Sequence, residues 1–63
     1  MKRYNILITL KKEVSGATYK LDLDFATMAE SFDKALEKAQ RYYSIAQSEE
    51  QATGISFVVE EAK

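Results

Sequence analysis

Residues 17–25 alternate without a break. Ala17, Tyr19, Leu21, Leu23 and Phe25 fall on one side of an extended chain, and Thr18, Lys20, Asp22 and Asp24 fall on the other. A period of two fits a strand with one buried face and fits no helix, whose period is about 3.6 residues. That strand needs a paired neighbour and a second layer to cover its apolar face. The neighbour lies just upstream. Over residues 3–12, Tyr4, Ile6, Ile8 and Leu10 share one side, and Arg3, Asn5, Leu7, Thr9 and Lys11 share the other. Between the two runs, Lys12-Glu13-Val14-Ser15-Gly16 is a short polar connection whose glycine takes positive φ readily. The two strands therefore read as a β-hairpin.

The covering layer follows. With Phe32 as origin and a step of about 100° per residue, Met28, Phe32, Ala35, Leu36, Ala39, Tyr43 and Ala46 fall within one stripe. The spacing predicts a helix from residue 31 to about residue 50. Two starts compete. Ser31 fits an N-cap with Asp33 in the first turn, and Thr27 with Glu30 has capping-box spacing and would bring Met28 into the helix. Glu30–Lys34 and Glu37–Arg41 are spaced as i,i+4 pairs. Gly54 is the expected stop. A last strand over residues 55–60 would turn Ile55, Phe57 and Val59 inward and Ser56, Val58 and Glu60 outward.

The expected fold class is α+β: a ββαβ two-layer sandwich, one helix packed on a three-stranded antiparallel sheet, in a single domain spanning residues 1–63. A right-handed crossover from the second strand through the helix to the third gives the order 2-1-3. The densely apolar first strand is then central, and the charged strands are edges.

Composition narrows the chemistry. The sequence contains neither Cys nor His, which removes thiolate metal sites, Cys nucleophiles and the usual neutral-pH general base. Its two glycines, Gly16 and Gly54, are too few for a P-loop or a dinucleotide fingerprint. These absences lead to the expectation of no enzyme activity, no cofactor and no metal. A formal charge of −1 gives little counterion release to drive general nucleic-acid affinity. No run approaches the roughly 20 apolar residues that span a bilayer, and Tyr4–Leu10, behind Lys2-Arg3, lacks a small-residue cleavage site. The expectation is a soluble cytoplasmic protein without a membrane partner. A chain this size buries only about 60% of the surface it exposes when unfolded. With no disulfide or metal staple, a homodimer is one way to complete the core.

Four side-chain groups carry candidate functions. On the sheet face away from the helix, Leu7 and Val58 would sit on adjacent strands amid polar residues, as a docking patch or as two scattered apolar residues. On the outer helix face, Lys34, Lys38 and Arg41 form a cationic ridge bordered by Tyr42 and Ile45, which would meet an acidic protein surface, meet a nucleic acid, or be solvated. Asp22 and Asp24 share one strand face, where edge protection competes with a weak carboxylate site. Lys2-Arg3 and Lys11-Lys12 lie at opposite ends of the first strand and form no single patch.

The leading expectation is a non-catalytic protein-interaction module that docks stoichiometrically on a protein partner as an inhibitor or adaptor. The partner-binding residues would be Leu7, Val58, Tyr42, Ile45, Lys34, Lys38 and Arg41. In size and layout the chain resembles small phage-encoded inhibitors. One alternative is a nucleic-acid-binding module using the basic helix ridge. Another rests on the strand-then-helix stretch from Leu21 to Gln40, which is loosely similar to the small-sheet antitoxins and implies a toxin as partner.

Overall fold

The computed structural model describes residues 1–62. Strand β1 (Lys2–Val14) and strand β2 (Ala17–Ala29) form a hairpin, followed by helix α1 (Phe32–Glu50) and strand β3 (Thr53–Glu61). The sheet order is β2-β1-β3, and both pairings are antiparallel. The architecture is thus the small α+β two-layer fold that the alternation and the crossover rule lead to.

The elements run longer than the alternation suggests. Pairing continues to Val14↔Ala17, so the hairpin closes through Ser15-Gly16 alone. Both residues have positive φ, 52° and 82°, which is the signature of a type I′ turn. The expected five-residue connection is therefore too long, because Lys12, Glu13 and Val14 remain in the ladder. At the other end β2 extends to Ala29, with Met28 opposite Arg3 and Thr27 opposite Tyr4. Met28 is thus a strand residue, and the helix stripe begins at Phe32. Of the two competing starts Ser31 is the cap: its Oγ accepts a hydrogen bond from the Lys34 amide at 3.3 Å. The helix stops at Gln51, which takes the left-handed conformation (φ 52°, ψ 47°), and not at Gly54.

Gly54 lies inside β3, where Tyr43 closes over it. A Cβ at that position would run into the Tyr43 hydroxyl and lie 2.8 Å from Gln47 Nε2. Next to it the register shifts. Thr9 pairs with Ser56 and Leu10 with Gly54, which leaves Ile55 as the extra residue of a β-bulge. Ile55 was expected inward but is 53% exposed. The bulge gives its inward place to Gly54, the residue small enough to fit beneath Tyr43.

The inward face of β1 is the spine of the core: Tyr4, Ile6, Ile8 and Leu10 are all buried. Ala35, Ala39 and Ala46 bring the helix down onto it, with Ala29 and Val59 at the sides. Large side chains flank this alanine line as aromatic pairs. Tyr4 meets Phe32 with ring centroids 6.2 Å apart, Phe25 meets Tyr42 at 5.6 Å, and Tyr43 meets Phe57 at 5.1 Å. Phe32 and Leu36, expected in the core, lie on the flank and keep substantial exposure.

The helix is shorter than the sheet. Nineteen helical residues span about 28 Å, and a 13-residue strand spans about 43 Å. The hairpin tip therefore overhangs. β3 pairs with β1 only as far as Lys11, and the helix ends where Lys12 meets Glu50 at 3.7 Å. Tyr19, opposite Lys12, lies past that end and is 54% exposed, although its strand position is inward. The helix also packs more closely on β3 than on β2, so Leu21, Leu23 and Phe25 are only partly covered.

Candidate functional site

The open sheet face is built from outward positions in register. Asp24, Leu7 and Val58 form one row across β2, β1 and β3. Ala26, Asn5 and Glu60 form the row on one side, and Asp22, Thr9 and Ser56 the row on the other. Leu7 and Val58 are thus direct neighbours. They are 40% and 47% exposed, with no element of the chain over them. Asn5, Leu7, Asp24, Val58 and Glu60 line a shallow depression centred on this pair. The apolar centre is small and its rim is polar and acidic on both flanks.

Thr9 stiffens the row beside it. It is the one buried polar residue among those described, and its hydroxyl donates to Asp22 Oδ1 at 3.1 Å. Asp22 therefore has a structural partner, and Asp24 lies beside Leu7. No group of three or more His, Cys, Asp or Glu side chains among the described residues is placed to hold a metal ion. At the hairpin end of the face Lys11 lies opposite Lys20, a like-charged cross-strand pair that opposes pairing.

The helix ridge is not the row of free cations that its spacing suggests. Lys38 Nζ donates to the main-chain carbonyl of Met28 at 2.6 Å, tying the helix to the end of β2. Lys34 pairs with Glu37 at 3.7 Å, at i,i+3 spacing; neither Glu30–Lys34 nor Glu37–Arg41 is among the ion pairs of the described residues. Arg41 is exposed and shares a shallow surface with Glu37, Gln40 and Ser44. Tyr42 is committed to Phe25 by its edge-on ring contact. Ile45, one turn beyond Arg41, lines a groove between the helix and β2 with Leu23, Phe25, Tyr42 and Ala46, and it is 47% exposed.

The seven candidate residues thus fall on three surfaces. Leu7 and Val58 come together on the sheet, Lys34 and Arg41 lie on the helix exterior, and Lys38, Tyr42 and Ile45 lie on the side toward β2. Tyr42 lies four residues from Lys38 and Ile45 four from Arg41, so both border the cations along the helix, and both also line the groove beside β2. Sequence reading missed the β2-side groove, because the seating of the helix closer to β3 than to β2 has no signature in residue spacing.

No helix among the described residues is long and apolar enough to cross a membrane. The chain matches no family model, no curated protein and no solved structure.

Proposed function

We propose that this chain is a non-catalytic protein-interaction module that docks stoichiometrically on a protein partner, as an inhibitor or adaptor, through the open sheet face. The observation that carries this reading is the Leu7–Val58 pair. Two large apolar side chains lie side by side, uncovered, at the centre of a face whose adjacent positions are polar or small; Met28, opposite Arg3, is a further exposed apolar side chain, at the β2 corner of that face. Such a centre with a polar rim is the anatomy of a protein interface. The rim, with Asn5, Asp24 and Glu60, supplies hydrogen-bonding groups and favours a partner surface that is apolar at its centre and basic around it. A shallow open face offers a small substrate little enclosure, which also favours a macromolecular partner. The helix ridge supports a nucleic-acid partner less well, since Lys38 and Lys34 already have partners.

The test is capture from a host lysate with tagged protein, with and without nuclease, at about 50 mM and about 200 mM salt. A stoichiometric protein band that survives both treatments is expected. Capture lost on nuclease treatment or at the higher salt would overturn the reading in favour of a nucleic acid on the Lys34–Lys38–Arg41 side.

A further inference from the structure

The free edge of β2 carries a second feature, independent of the open face. The closing pair of a two-residue hairpin, here Val14–Ala17, is hydrogen-bonded across the ladder. Alternation then sends the main-chain groups of Lys20, Asp22 and Asp24 off the sheet, away from β1. Met28 belongs to the same alternate set, and its carbonyl is the one that Lys38 occupies at 2.6 Å. Lys38 thus closes the far end of the edge and leaves residues 18–26 available for pairing. The opposite edge, β3, is interrupted by the bulge at Ile55, a device that blunts strand addition.

We propose that a second copy of this chain pairs with β2 antiparallel about a two-fold axis at Leu21, forming one six-stranded sheet. Charge selects this register. With Leu21 opposite Leu21 of the second copy, each Lys20 faces Asp22 of the other copy, and no like charges face each other across the seam. A shift that centres the axis on Asp22 sets Asp22 against itself, and one centred on Leu23 sets Asp22 against Asp24 twice. The register at Leu21 also answers two features of the single chain. Lys20, opposed within its own hairpin by Lys11, gains a carboxylate neighbour. Tyr19, left uncovered by the short helix, is set opposite Leu23 of the second copy, beside the groove that Ile45 leaves open. The exposed Tyr19 and the partly covered Leu23 therefore meet across the seam.

Sedimentation equilibrium across a range of protein concentrations tests this pairing. Twice the monomer mass is expected for the wild type. Lys20→Glu should weaken association about tenfold or more, since it turns two attractive cross-strand pairs into two repulsive ones. The same change removes the Lys11–Lys20 repulsion, so the melting temperature of the dissociated monomer should not fall. Lys20→Glu combined with Asp22→Lys should restore association. A wild type that stays monomeric, a dimer indifferent to Lys20→Glu, or a double variant that fails to reassociate would each overturn the pairing. Capture of a foreign protein by the open face is a separate readout and decides none of these outcomes.

Discussion

At Gly54 a missing side chain decides how two elements meet. Tyr43 descends from the helix onto β3, packs against Phe57, and occupies the space that a Cβ at residue 54 would need. Gly54→Ala should destabilise the fold by about 1–3 kcal/mol through overpacking, read as a shift in denaturation midpoint. The cost should shrink in a Tyr43→Ala background, and a double-mutant cycle measures that coupling; strictly additive costs would place the penalty elsewhere. Ser15 is the converse case. It holds the first left-handed position of the I′ turn without the local hydrogen bonding that Asn brings there. Ser15→Asn should raise stability by about 0.5 kcal/mol in the same assay. Both residues are visible in the sequence, and their roles are legible to different degrees. Gly16 marks the turn because few residues take positive φ. Gly54 suggests a helix end because glycine is common there, whereas Gln51 takes that conformation here. The need for space under Tyr43 arises only once helix and strand are packed.

Element type was readable from periodicity, and element length was not. A period of two identifies both strands of the hairpin, yet their ends lie among residues whose polarity no longer alternates. Lys12 to Val14 at one end and Ala26 to Ala29 at the other continue the ladder, where residue polarity does not mark it, although Ala29 reaches the core. Met28 falls within the helical stripe by coincidence of spacing, and its strand partner Arg3 takes precedence. Ser31 settles the start of the helix. Ser31→Ala should cost about 1 kcal/mol, measured by thermal melting followed at the helical circular-dichroism signal. Ser31→Gly should cost only a few tenths. A Ser31→Ala variant as stable as wild type would show that the exposed 3.3 Å bond to Lys34 contributes nothing. The bulge at Ile55 is the feature of the last strand with no signal in the sequence. Ile55, Phe57 and Val59 alternate well, and the shift follows from fitting Gly54 opposite Leu10.

Over the whole molecule, strand order follows from connection rules and apolar density, so β2-β1-β3 could be reasoned out before any coordinates. The open face follows from the same reasoning, because strand parity alone brings Leu7 and Val58 to one side and strand order makes them neighbours. The helix packs more closely on β3 than on β2, which leaves the groove of Leu23, Phe25, Tyr42 and Ile45 open on the β2 side. The central claim is that the Leu7–Val58 pair exists for a partner and not for the fold. Leu7→Lys combined with Val58→Glu tests it directly, because the new charges are opposite in sign to each other and the lysine is set beside Asp24. The measurement is the denaturation midpoint of this double variant beside its capture of the protein partner, each compared with wild type. The expected result is a stability within about 1 kcal/mol of wild type and loss of capture. Retained capture would contradict it, as would a stability loss of the size expected for Ile8→Ala in the buried spine, about 2–5 kcal/mol.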